Sequence, residues 1–118
     1  MEPRKRIVQS IKRIEEDDFS LAERYYSIIS IINNLKLTQR EIQLVAFTSI
    51  KGNISYANNM KEFCEKYKST SHTIYNIISK LKKIGVLIKD GTKIKTNPAI
   101  CLSFNNDITL EIKLIYNG

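Results

Sequence analysis

Apolar residues between positions 59 and 84 recur at helical spacing in two short runs separated by a polar break. Met60, Phe63, Cys64 and Tyr67 fall at i, i+3, i+4 and i+7, the stripe of one amphipathic helix. Asn59, with Glu62 three residues on, predicts its N-terminal cap. Lys68-Ser69-Thr70-Ser71 interrupts the pattern, and Ser71 is the expected cap of a second helix over residues 72–84. Ile74, Ile77, Ile78, Leu81 and Ile84 form the stripe of that helix, and Gly85 supplies the permissive backbone that ends it. Val86-Leu87-Ile88-Lys89, Asp90-Gly91 and Thr92-Lys93-Ile94-Lys95 then predict strand, two-residue type I′ turn and strand. This turn would set Lys89 opposite Thr92 and Leu87 opposite Ile94. Leu87 and Ile94 would share one face, with Ile88, Lys93 and Lys95 on the other.

The remaining pattern predicts further helices and two strands. Pro3 suits a first helical position, and Ile7, Val8, Ile11 and Ile14 predict a helix over 4–16. The acidic run Glu15-Glu16-Asp17-Asp18 precedes Ser20-Leu21-Ala22-Glu23, a capping box, where negative charge complements a helix N-terminus. The helix it starts, to about Asn34, is apolar over a wide arc: Leu21, Tyr25, Ile28, Ile32 and Leu35 in one row, Ala22, Tyr26 and Ile29 beside it. Such an arc calls for burial on more than one side, and a homodimer contact is expected there. Thr38-Gln39-Arg40-Glu41 is a second capping box, opening a helix through Ile42, Val45, Ala46 and Ile50 to Gly52. Ile54-Ser55-Tyr56 suits one brief strand. Asn97-Pro98 punctuates the chain, and Ile108, Leu110, Ile112 and Leu114 alternate with polar residues as a half-buried strand. The expected fold is mainly α with a small β-hairpin (α+β). Residues 1–37 form an N-terminal helical extension, and residues 38–118 a domain with an extra C-terminal strand.

Charge changes this picture most. Residues 59–95 hold nine lysines against Glu62, Glu65 and Asp90, a net +6 of the formal +7 of the whole chain. Concentrated on two helices and a hairpin, that surface suits phosphate neutralisation with release of counterions. A lysine-rich solvated surface is the bland alternative. At 42% hydrophobic and 26% charged residues over 118 positions, one globular domain is expected rather than a disordered chain. Cys64 and Cys101 are too few for a disulfide framework or zinc site, and Cys64 is expected to act as a small buried hydrophobe. His72 is the only histidine, so no Cys–His or Ser–His–Asp arrangement assembles. There is no glycine-rich phosphate loop, no metal cluster and no cofactor motif, and an enzyme is not expected. No signal-peptide pattern or membrane-length apolar run is present, which predicts a soluble protein of the cytoplasm.

From Thr38 to Lys95 the predicted order is helix, short strand, helix, helix, strand, turn, strand. This resembles the winged helix-turn-helix superfamily, including MarR-like regulators and regulatory or replication proteins of phages and plasmids. The most specific match is Ser71-His72-Thr73-Ile74-Tyr75-Asn76-Ile77-Ile78-Ser79-Lys80-Leu81, similar to that superfamily's recognition-helix pattern. Lys82-Lys83-Ile84-Gly85-Val86-Leu87-Ile88-Lys89 is similar to its passage from helix to wing. The resemblance covers about half of the chain. It implies a winged helix-turn-helix that places helix 72–84 in the DNA major groove and a lysine-rich wing on the backbone.

Ser69, Thr70, Ser71, His72, Thr73, Asn76, Lys80, Lys83, Lys89 and Lys93 are the candidate DNA-binding residues. Thr73, Asn76, Lys80 and Lys83 recur at i, i+3, i+7 and i+10, away from the isoleucine stripe. Ser69 and Thr70 sit in the turn, within reach of phosphate oxygens. Asn76 has the amide that can meet adenine N6 and N7 together, unless it is simply a solvated helix residue. Lys80 and Lys83 could bond phosphates or complement the helix dipole. Arginine is absent from residues 41–118, so bidentate guanine recognition cannot be supplied, and any preference should be modest or AT-leaning. The expected partner is double-stranded DNA, and the expected role a transcriptional regulator of phage or bacterial type. The alternative is a virion or packaging component that uses the same fold to hold DNA or a phage or host protein.

Overall fold

Among the described residues, three helices begin where a side chain reaches the first unpaired backbone N–H groups. The computed structural model describes residues 6–7, 17–101 and 114–115, with side chains over 17–101. Its elements are β1 (Arg6–Ile7), α1 (Asp18–Ile32), α2 (Gln39–Lys51), α3 (Ala57–Tyr67), α4 (Ser71–Lys83), β2 (Leu87–Asp90), β3 (Lys93–Thr96) and β4 (Leu114–Ile115). The fold is therefore mainly helical with small antiparallel sheets.

The capping box of α2 forms as expected: Glu41 N donates to Thr38 Oγ1 at 3.3 Å, and Thr38 N donates to Glu41 Oε1 at 2.8 Å. Gly52, at φ +85°, closes that helix in the left-handed region. The other expected caps are displaced. Asp17, not Ser20, caps α1, its Oδ1 accepting from Ser20 N at 2.7 Å. That bond holds the Asp17 carboxyl below its ordinary value. Part of the acidic run thus serves the helix start, while Glu23 is released to face α3. Thr70, not Ser71, caps α4 by accepting from Thr73 N at 3.3 Å. α3 begins two residues before the expected cap at Asn59, with no side-chain cap at all. Asn59 instead donates its amide to Asn53 O at 2.7 Å, and Glu62 pairs with Lys51 at 2.8 Å. Tertiary partners outcompete the local box.

Two strand expectations also change. Ile54–Tyr56 is not a strand: Ile54 N donates to Ile94 O at 3.0 Å, but Ile94 N donates to the Asn53 side chain at 2.9 Å. A side-chain oxygen takes the place of a ladder carbonyl, so the pairing stops after one backbone bond. In the hairpin, Leu87 faces Thr96, Ile88 faces Lys95, Lys89 faces Ile94 and Asp90 faces Lys93. The loop is therefore Gly91-Thr92 rather than Asp90-Gly91. Gly91 has φ +63° and Thr92 does not share it, the glycine-first pattern of a type II′ turn rather than type I′. Because side chains alternate with period two, this shift of partners leaves Leu87 and Ile94 on one face as expected. At the N-terminus, Arg6–Ile7 is a strand antiparallel to Leu114–Ile115, which overturns the helix expected over 4–16 at those positions. The rest of 4–16, and Ile108 to Ile112, lie outside the described residues.

The core is built on α2. Leu44, Val45 and Phe47 are inaccessible, packed among Phe63 of α3, Ile74, Ile78 and Leu81 of α4, and Val86 and Leu87. Phe47 stacks on Phe19 at 5.5 Å and meets Phe63 edge-on at 5.3 Å. Ala22 and Tyr26 of α1 belong to the same core, so buried contact runs across the boundary expected at residue 37. Cys64 is half-buried at its edge. Only part of the wide apolar arc of α1 is covered: Ile32 stays 57% exposed, and Ile31, outside the expected rows, 79%.

Candidate functional site

Helices α3 and α4 are joined by residues 68–70, with Lys68 in the left-handed region at φ 52° and Ser69 N bonded to Cys64 O at 3.0 Å. The turn is held by its own backbone. The Thr70 hydroxyl is occupied as the cap of α4 and lies 3.1 Å from Thr73 Oγ1. Ser69 is half-buried, while Ser71, His72 and Thr73 are exposed.

Burial of Ile74, Ile78 and Leu81 fixes which ridge of α4 points outward. With 3.6 residues per turn, the ridge opposite them is His72, Asn76, Ser79 and Lys83, at i, i+4, i+7 and i+11. All four are exposed, and Asn76 Nδ2 lies 3.5 Å from His72 Nε2. Thr73 and Lys80, expected on the same ridge, belong to its flank nearer α2. Lys80 Nζ reaches Glu41 Oε2 at 2.7 Å. Glu41 is only 4% exposed, so this lysine satisfies a buried carboxylate. Burial alone would raise the Glu41 carboxyl, but the bonds from Lys80 and Thr38 outweigh it and hold it below its ordinary value. Lys80 is therefore engaged by an ion pair within the fold, with its side chain still 53% exposed. Ser79 was missed, though counting seven residues on from His72 would have found it.

The hairpin stands beside the end of α4. Lys89 and Lys93 are exposed next to the loop, on opposite faces, since Lys89 faces Ile94 while Lys93 faces Asp90. Lys95 is turned to Asp90 at 2.9 Å, and its bond lowers the Asp90 carboxyl. Gly85, at φ +80°, sets the bend from α4 into the hairpin, and Asn97 Nδ2 donates to Gly85 O at 2.9 Å across it. Exposed Lys82 and Lys83 close α4 at its negative end.

Behind this surface, a half-buried polar cluster ties α3 to α1 and α2. Tyr67 donates its hydroxyl to Glu23 Oε2 at 3.3 Å, and Arg40 donates to Tyr67 O. Burial pushes both the Glu23 carboxyl and the Tyr67 hydroxyl above their ordinary values, and the Glu23 charge adds to the second shift. An open groove of about 420 Å³ lies between the end of α1 and the start of α2, lined by Ser27, Ser30, Ile31, Leu37 and Ile42 among others. Among the described residues no three His, Cys, Asp or Glu side chains come together as a metal site, and no helix is long and apolar enough to cross a membrane. Comparison with family models, with curated proteins and with solved structures gave no match.

Proposed function

We propose that the protein binds double-stranded DNA as a winged helix, with α4 in the major groove and the β2–β3 hairpin as wing, and acts as a transcriptional regulator. The observation that carries this reading is the outward ridge of α4, His72, Asn76, Ser79 and Lys83, all exposed, with exposed Lys89 and Lys93 in the hairpin that follows it. Ser71 and Thr73 flank the ridge within reach of phosphates, and Asn76 offers both a donor and an acceptor to a base edge. The short Ile54–Ile94 contact, joining the segment before α3 to the second hairpin strand, also supports a winged arrangement.

The uncovered Ile31 and Ile32, beside the groove at the end of α1, favour a protein contact away from the DNA surface. A homodimer through α1 suits a regulator that reads paired half-sites. A virion or packaging component would use the same patch for another protein.

Duplex binding measured by fluorescence anisotropy across a salt series tests the assignment. Lys83, Lys89 and Lys93 as phosphate contacts give a log–log slope of about −3 per subunit, and about twice that for a dimer. Lys83→Ala or Lys93→Ala should lower the slope by about one on every duplex. No duplex binding by the wild-type protein at low salt would overturn the assignment.

A further inference from the structure

The hairpin is held to the helices by a polar hub that the sequence pattern does not announce. Asn53, just past the left-handed Gly52, accepts at Oδ1 from Ser55 N at 2.9 Å and from Ile94 N at 2.9 Å. The Ser55 hydroxyl lies 2.7 Å from the same oxygen and 2.7 Å from Thr92 O in the hairpin loop. Its single proton serves one of these acceptors at a time. The Asn53 carbonyl in turn accepts from the Asn59 amide at 2.7 Å, which fixes the hub to the first turn of α3. Ile54, fully buried, anchors the segment in the core and gives its N–H to Ile94 O. Around one residue, then, the end of α2, the start of α3, strand β3 and the hairpin loop are joined.

We infer that Asn53 is a positioning residue for the wing: its side-chain oxygen sets where Lys89 and Lys93 stand relative to the outward ridge of α4. This rests on the DNA-binding reading above. A two-stranded hairpin has little stability of its own, and its docking on the helices decides its direction. Its base is fixed by buried Leu87 and by the Thr96 hydroxyl, which donates to Val45 O at 3.3 Å, and the Ile54–Ile94 backbone bond continues that hold toward the tip. The Asn53 and Ser55 bonds add fixed points nearer the loop, at Ile94 N and Thr92 O. The role needs an acceptor oxygen and no donor, since none of the hub bonds uses the Asn53 amide N–H groups.

The test is a binding cycle on the full chain with a fluorescent duplex at two salt concentrations. Asn53→Ala should weaken binding about tenfold and flatten the salt slope by up to about two, the share of the two wing lysines. Asn53→Asp, which keeps the acceptor, should stay within about threefold of wild type. In a background lacking both wing lysines (Lys89→Ala with Lys93→Ala), Asn53→Ala should change affinity less than about twofold, because nothing is left for it to position. An equal loss in both backgrounds, or wild-type affinity for Asn53→Ala, would overturn the inference. Should Asn53→Ala fail to fold, Ser55→Ala replaces it in the same cycle, with a loss of about threefold expected only when the wing lysines are present. Absence of duplex binding by wild type would instead remove the DNA-binding reading itself, and this inference with it.

Discussion

Replacing Lys80 separates its part in the fold from the phosphate contacts proposed for Lys83, Lys89 and Lys93. Glu41 is 4% exposed, and its carboxylate has two strong donors, Thr38 N at 2.8 Å and Lys80 Nζ at 2.7 Å. Lys80→Met keeps the stem and removes the second donor. Breaking a fully buried pair costs about 3–5 kcal/mol, whereas a surface pair is worth about 0–1. The Lys80 side chain is 53% exposed, so water replaces part of what is lost, and the expected cost is about 2 kcal/mol at pH 7. For a chain of this size that lowers the melting temperature by about 6–10 °C.

The pH dependence gives the sharper check. The folded Glu41 carboxyl lies below its ordinary value of 4.5, so its stabilisation is present above that value and is lost as pH falls through the folded pKa. Without Lys80, only the Thr38 bonds oppose burial, so the folded value rises. The variant then loses less stability than wild type as pH falls through 4.5. Urea denaturation of wild type and Lys80→Met at pH 7 and pH 4 should show the gap narrowing on acidification. Glu41→Gln combined with Lys80→Met should recover most of the loss. A variant as stable as wild type at pH 7, or a gap independent of pH, would refute the reasoning. The duplex-binding salt slope of Lys80→Met, measured below its melting point, should match wild type, unlike that of Lys83→Ala.

Three further outcomes follow from the same geometry. Glu23, raised mainly by burial, disfavours the folded state as pH climbs from the ordinary carboxylate range through its folded value; Glu23→Gln should remove that slope and equal or exceed wild-type stability at pH 7. The check is denaturant midpoints from pH 4 to 8. Asn76→Ala should leave the salt slope unchanged and cost about 1–3 kcal/mol only on a preferred duplex, by competition anisotropy. Wild-type protein should scatter light as a dimer at high micromolar concentration, and Ile31→Asp with Ile32→Asp should scatter as a monomer with unchanged helical circular dichroism; a monomeric wild type would remove the α1 contact.

The sequence alone determined what is local. Apolar spacing placed α2, α3 and α4, and the Thr38–Glu41 box and Gly52 fixed both ends of α2, because each depends on groups within one helical turn. Alternation placed the two faces of the hairpin correctly even though its pairing differed by two residues, since faces depend only on parity. The exposure of His72, Thr73, Asn76, Lys83, Lys89 and Lys93 followed from the same periodicities. Only the tertiary structure decided between acceptors and donors that lie far apart in sequence. Glu62 left its local box for Lys51, Lys80 turned from the outward ridge to Glu41, and Ile94 took its partner from the Asn53 side chain instead of a third strand. Arg6–Ile7 likewise became a strand only because Leu114–Ile115 lies alongside. A polar side chain carries no mark of which distant partner it will meet; that choice is made when packing of the core brings the partners within hydrogen-bond reach and excludes the water that would otherwise serve them.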